Sequence, residues 1–336
     1  LSFVRTGTWA GTYQNASSAD GSEELEEEPL TTVEVRAPAT TANLGPGYDC
    51  LGMALDLWNT LTVEVLPAGS EPAVVVSGEG AGELDVDTQN LTYRAMEFLF
   101  NEADVPIPPL SLRCENTIPL SRGMGSSAAA ISGGLVAANR LLDDAFGHDD
   151  LLEMAATIEG HPDNVAAAIH GGMRLVVLED NRLYTAPIRV PEDMQAVLFI
   201  PDRRIATADA RRVLPGQISV ADAVYNMSRT ALLVASMESE HPEYLNIATQ
   251  DRLHQPYRQT IFPQMKVIFA AAQAAGAFGV FLSGSGSTIL AFARDRAMTV
   301  AYEMFDAARL AGVEGRVEVT QPTTLGAHVA TPVQDD

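Results

Sequence analysis

Pro119-Leu120-Ser121-Arg122-Gly123-Met124-Gly125-Ser126-Ser127-Ala128-Ala129-Ala130 is the stretch on which the reading of this chain turns. Two glycines bracket one residue, two serines follow, and an uninterrupted helix-forming run begins. Gly123 and Gly125 permit positive φ and let a ligand approach the backbone closely. Ser126, Ser127 and Ala128 then offer first-turn N–H groups, where unpaired donors and the helix dipole favour an anion. The same residue types also make a plain loop ahead of an alanine-rich core helix. Taken alone they leave phosphate binding and simple capping both open.

An absence narrows the choice. Lys266 is the only lysine in the chain, and it lies in no glycine-rich loop. A Walker-type loop needs a lysine directly after its last glycine, and a protein kinase needs a strand lysine. Any nucleotide chemistry here must use another fold.

The chain has 336 residues and is 46% hydrophobic, enough for two ordinary domains or one large one. Its 44 acidic and 21 basic side chains give a formal charge of −23. No basic run appears, so nucleic acid and anionic membrane surfaces are not expected partners. No apolar stretch approaches the roughly 20 residues of a membrane helix. Cys50 and Cys114 lie far apart without metal-ligand spacing, which fits buried thiols of a cytoplasmic protein.

Residues 1–31 read as an acidic leader, ending in the run Glu23-Glu24-Leu25-Glu26-Glu27-Glu28, and are expected to stay solvated. Alternation predicts strands at 32–37, 61–65, 73–76 and 110–116, and helical periodicity covers 90–103. A helix is expected over 126–142 with Ser126 as its N-cap. Another spans 150–159, is interrupted at His161-Pro162, and restarts at 164–170 before a strand at 173–178. Pro187 and Pro191 mark a boundary, giving an N-terminal domain over 32–186 and a C-terminal domain over 187–330. The second domain reads as a strand at 195–200, helices at 221–237 and 264–275, a hairpin of 280–283 with 288–293, a helix at 298–311 and a strand at 315–320. Strand-rich and helix-rich stretches alternate without regular βαβ spacing, so the fold class is α+β.

Pro119–Ala130 resembles the ATP-binding motif of the GHMP kinases, and two further stretches agree. Ala37-Pro38-Ala39-Thr40-Thr41-Ala42-Asn43-Leu44-Gly45-Pro46-Gly47-Tyr48-Asp49 is similar to the first motif of that family as its homoserine kinases carry it. Leu282-Ser283-Gly284-Ser285-Gly286-Ser287-Thr288 is similar to the third, glycine-rich motif. The resemblance spans about residues 32–325. It implies a two-domain fold of mixed sheets with helices packed on one face, and a site for ATP and Mg²⁺ at Pro119, Leu120, Ser121, Arg122, Gly123, Met124, Gly125, Ser126, Ser127 and Ala128.

The substrate side is carried by other segments. Glu159-Gly160-His161-Pro162-Asp163-Asn164-Val165-Ala166 resembles the homoserine kinase signature H-x-D-N. Where other GHMP kinases have a proposed aspartate base, this chain matches with Asn164, which cannot take a proton. The resemblance therefore implies base-free transfer, in which the γ-phosphate receives the hydroxyl proton. An inward-pointing Asp163 would weaken that argument. Thr207-Ala208-Asp209-Ala210-Arg211-Arg212-Val213-Leu214-Pro215 and Asp251-Arg252-Leu253-His254-Gln255-Pro256-Tyr257-Arg258 resemble the segments whose arginines bind the substrate carboxylate. They point to Arg211 and Arg258, with Arg212 an open alternative to Arg211. Asn43 and Asp49 match the residues expected at the substrate ammonium; Thr207, His161 and Asn164 match those toward the hydroxyl. Glu153, eleven residues before Asn164, and Ser127 match the expected metal ligands.

The resemblance thus implies phosphorylation of L-homoserine to O-phospho-L-homoserine, a step toward threonine. Two alternatives stay open at this stage: another small-molecule GHMP kinase with a mevalonate- or sugar-type substrate, and a GHMP-fold protein that binds ligand without catalysis. A homodimer is an expectation by resemblance alone.

Overall fold

The computed structural model describes residues 32–330; the expected acidic leader lies outside them. The alternation that begins at Thr32 continues past Ala37, so β1 runs Thr32–Asn43 and pairs along its length with the 19-residue β2, Gly47–Val65. The strand read at 61–65 is only the far end of β2. β4 (Leu110–Asn116) lies beside β2, and β3 (Ala73–Gly78) pairs in parallel with the far side of β4, which makes this a mixed sheet. β5 (Met173–Glu179) pairs with the other end of β2 and turns into β6 (Arg182–Ile188), which the sequence reading missed.

The second sheet starts with β7 (Gln195–Pro201). The expected hairpin is β8 (Gly279–Leu282) with β9 (Ile289–Ala293), and β10 (Gly315–Thr320) closes the sheet in the order β10-β7-β9-β8. Sheet membership changes between Ile188 and Gln195. The chain then returns. Beyond β10, Gln321 accepts a hydrogen bond from Asp56, and β11 (His328–Val329) pairs with β1. Residues 321–329, read as part of the C-terminal domain, therefore complete the first sheet.

α1 (Leu91–Glu102), α2 (Ser126–Leu141), α3 (His148–Glu159) and α4 (Pro162–His170) belong to the first sheet, with α2 and α4 laid against β1 and β2. β1 shows why one face is covered: Val33, Val35 and Ala37 are buried while Thr32, Glu34 and Arg36 are exposed. The second sheet is covered on both faces. Ala196, Leu198 and Ile200 join the first core, while Val197 and Phe199 join a second core with α9 (Met265–Ala274) and α10 (Ala297–Leu310). An unbroken apolar strand is what such burial requires. Between β7 and α9 come α5 (Thr207–Arg212), α6 (Val220–Glu238), α7 (Leu245–Ala248) and α8 (Gln255–Arg258).

Two helix starts differ from expectation. The N-cap of α2 is Gly125, left-handed at φ 68° and without a side-chain cap, so Ser126 is the first helical residue rather than the cap. Pro162 does not delay α4 but opens it at N1, where its missing N–H costs nothing.

Candidate active site

The three glycine-bearing stretches interlock. Thr40 N donates to Met124 O (3.0 Å), Thr288 N to Arg122 O (3.0 Å), Ile205 N to Ser121 O (3.0 Å), and Ser283 Oγ to Gly123 O (2.5 Å). Four successive carbonyls of the loop, 121 to 124, are thereby turned into the protein wall. Among the described residues, no backbone acceptor takes the N–H of Gly123, Met124 or Gly125. Such a row of wall-facing carbonyls and free amides at a helix start is an anion cradle. Both glycines are required here. At φ 74° a Cβ on Gly123 would strike the Ser283 carbonyl, and at φ 68° one on Gly125 would strike the Thr40 hydroxyl.

The loop borders a cavity of about 480 Å³, a volume suited to small-molecule ligands. Pro119, Leu120, Ser121, Gly123, Met124, Gly125, Ser126 and Ser127 line it. Arg122 and Ala128 do not. Arg122 points to the end of β7, donating from Nε to Pro201 O (2.8 Å) and from Nη2 to Asp202 O (3.1 Å), and Ala128 is fully buried in the helix packing. Arg122 therefore anchors the loop to the second sheet.

Asn43, Asp49, His161, Asn164, Thr207, Arg211 and Arg258 all line the same cavity. Asp49 and Arg211 form a bidentate pair, Oδ1–Nη2 at 2.8 Å and Oδ2–Nη1 at 2.9 Å. Arg212 instead pairs with Asp209 at the surface, with 76% of its side chain exposed, so Arg211 is the member of the doublet at the cavity. Arg258 is buried to 2% exposure, and Nη1 donates to Gly284 O at 2.7 Å. Among the described residues no carboxylate forms an ion pair with it. Burial lowers its pKa, as does the charge of Arg211. Asn43 spans motifs one and three, donating to Gly284 O (2.9 Å) and accepting from Asp49 N (3.0 Å).

Asn164 Oδ1 accepts from Thr40 Oγ1 at 2.8 Å. Asp163 does point inward: it lines the cavity and is 2% exposed. Its Oδ1 is occupied by Asn164 N (2.7 Å), Asn164 Nδ2 (3.2 Å) and His161 Nδ1 (3.2 Å). Burial pulls the His161 pKa down, but the hydrogen bond and charge of Asp163, with Glu159, more than offset it and raise it overall.

The expected metal pair is rearranged. Ser127 Oγ donates to Glu159 Oε1 at 2.6 Å, and Glu159, not Glu153, lines the cavity. Burial raises the Glu159 carboxyl, against the Ser127 hydrogen bond and the His161 charge. A largely buried carboxylate beside a hydroxyl and an anion cradle, with only a histidine 3.8 Å away as countercharge among the described residues, fits a divalent cation with oxygen ligands. Counting eleven residues back from Asn164 passed over this residue, although the signature segment itself begins with it.

Asn59 lines the remaining wall of the cavity, while Trp58 donates to Asp56 and packs on Arg36 and His328. Leu84, Asp85, Gln89 and Asn116 add to that wall, with Asn90, Leu91, Thr92 and Arg94 from the start of α1. The first four come from the turn after β3 and the end of β4, which carry no motif. Both cysteines are free, each pushed up to about 11 by burial, so neither is a reactive thiolate. Among the described residues no helix is long and apolar enough to cross a membrane.

Comparisons with known proteins show the family. The family model for the GHMP kinases N terminal domain matches residues 90–172, and that for GHMP kinases C terminal matches residues 232–308. The chain is 41% identical to a homoserine kinase of Moorella thermoacetica over 88% of its length and 99% of that protein's. It is 42% identical to a homoserine kinase of a Synechococcus strain, over 88% of its length and 97% of that protein's. Among solved structures it is similar to the homoserine kinase of Cytophaga hutchinsonii, with a TM-score of 0.83 at 28% identity, covering 90% of this chain and 99% of that one.

Proposed function

The chain belongs to the homoserine kinases of the GHMP kinase family, and from that premise we propose that it transfers the γ-phosphoryl group of ATP to the hydroxyl of L-homoserine, yielding O-phospho-L-homoserine and ADP on the route to threonine. The observation that carries the substrate reading is the Asp49–Arg211 pair beside buried Arg258, in one cavity with the glycine loop. Homoserine carries an ammonium, a carboxylate and a terminal hydroxyl. Asp49, with Asn43, takes the ammonium. Arg211 and Arg258 take the carboxylate, a pairing strengthened by the planar donor fork of each guanidinium. A buried arginine without an acidic partner is costly until an anion meets it. Mevalonate- and sugar-type substrates have no ammonium to meet Asp49.

The loop amides and the N-terminus of α2 hold the ATP phosphates. Ser127 and Glu159 would hold Mg²⁺, which neutralises charge on the β- and γ-phosphate oxygens when bound. Asp163 orients rather than abstracts: its Oδ1 fixes His161 and Asn164, and Thr40 fixes Asn164 from the other side. Asn164, His161 and Thr207 then guide the hydroxyl. Its oxygen attacks the γ-phosphorus, the bond to the ADP oxygen breaks, and the hydroxyl proton passes to a γ-phosphate oxygen. The protein contributes alignment and charge stabilisation, which supply most of the catalysis in phosphoryl transfer. Purified protein with Mg-ATP should release ADP only when L-homoserine is added; release unaffected by homoserine would refute the substrate assignment.

A further inference from the structure

Two guanidinium groups share the substrate end of the cavity, an arrangement opposed by their like charge. Tyr48 lies close to both. The Cζ atoms of Arg211 and Arg258 each lie 5.5 Å from the centre of its ring. Its hydroxyl accepts from Arg211 Nη1 at 2.8 Å, on the nitrogen that also reaches Asp49 Oδ2. Behind Tyr48, at 5.4 Å between ring centres, lies His254. That histidine is fully buried, donates from Nε2 to Gly45 O (2.7 Å) and accepts at Nδ1 from Arg258 Nη1 (3.0 Å). Its carboxylate neighbour Asp251 is tied to the backbone N–H groups of Leu253, His254 and Gln255.

The ring face of an aromatic attracts cations. One ring near two guanidinium groups therefore offsets part of their repulsion and limits the directions in which each can point. The hydroxyl adds a fixed acceptor to one of them alone. Burial first, and then the charge of Asp49, raises the Tyr48 phenol pKa, so it remains a neutral phenol.

We propose that Tyr48 is a positioning residue for substrate selection: its ring holds Arg211 and Arg258 side by side, and its hydroxyl sets the orientation of Arg211, so that both forks converge on one carboxylate. The proposal rests on the reading that these arginines bind the carboxylate of homoserine. It predicts that Tyr48 acts on selection for that carboxylate, with no effect on ATP or on the transfer step.

The test compares L-homoserine with 3-amino-1-propanol, the same molecule without its carboxylate, in Tyr48→Phe, Tyr48→Leu, Arg211→Met and Arg258→Met. A lost hydrogen bond to a charged group corresponds to about tenfold in binding. Tyr48→Phe should raise the homoserine KM about tenfold, leave kcat and the ATP KM within about twofold, and lower the preference for homoserine over the amino alcohol by a similar factor. Tyr48→Leu should lower it further. If either arginine variant leaves the preference unchanged, the carboxylate reading fails. If the arginine variants abolish the preference but both Tyr48 variants keep it, the Tyr48 proposal fails. A Tyr48→Phe protein that loses both substrates equally and melts at lower temperature has lost only structure, which also overturns the proposal.

Discussion

Ser127 Oγ donates to Glu159 Oε1 at 2.6 Å, joining the first turn of α2 to the last residue of α3 at the edge of the cavity. This contact places a largely buried carboxylate beside the phosphate cradle, and the proposed mechanism gives Glu159 the role of acidic metal ligand. Glu159→Gln should reduce kcat about 100-fold and raise the Mg²⁺ concentration needed for half-maximal rate. Glu153→Gln should leave the Mg²⁺ requirement near that of the parent protein. Mg²⁺ titrations of steady-state rate on both variants decide this, and the reverse pattern would restore Glu153.

The raised Glu159 carboxyl gives a pH test with a definite sign. Its pKa is higher in the folded than in the unfolded chain, mainly through burial. Its contribution to stability is therefore complete below the ordinary glutamate range and is lost as pH rises through the raised value. His161, also raised, loses its charge over the same direction of change. Above that raised value the metal-free protein holds a largely buried anion that a cation would relieve. Added Mg²⁺ should raise the melting temperature more at about pH 7.5 than at about pH 5. An equal shift at both would remove Glu159 as a ligand.

Asp49 is expected to act on homoserine alone. Asp49→Ala removes the proposed acceptor for the ammonium and also frees Arg211 from its bidentate partner. The homoserine KM should rise about 10- to 100-fold with the ATP KM nearly unchanged, as for loss of one charged hydrogen-bonding partner. Separate titrations of the two substrates measure the split.

Gly125→Ala combines a left-handed backbone at φ 68° with a collision against the Thr40 hydroxyl. The left-handed conformation alone costs about 1–2 kcal/mol. Because Thr40 also holds Asn164, the variant should lose activity beyond its loss of stability. Denaturant unfolding beside a rate assay separates the two.

What the sequence made readable follows from physical range. The three motifs were visible because their glycines answer local demands, positive φ and close backbone approach, which leave a residue-type trace. The long helices and alternating strands were visible through period. Glu159 was not: Glu153 and Glu159 are six residues apart on one helix, about 120° apart around its axis, and spacing alone did not show which of the two reaches the cavity. α8 has only four residues and β11 only two, too few for any period to show. Tyr48 and His254 both lay within quoted motifs, but the contact between them joins distant parts of the chain. The wall from Leu84 to Gln89 lies in a turn whose role depends on where β3 and β4 end.

The central claim is that this cavity aligns ATP against an amino-acid alcohol. The most direct measurement offers the purified protein Mg-ATP with an equimolar mixture of L-homoserine, mevalonate and galactose, and identifies the phosphorylated product by phosphorus NMR and mass spectrometry. O-phospho-L-homoserine as the sole product, formed in step with ADP, is the predicted result. Phosphorylation of mevalonate or galactose in place of homoserine, or no phosphorylated product at all, would contradict it.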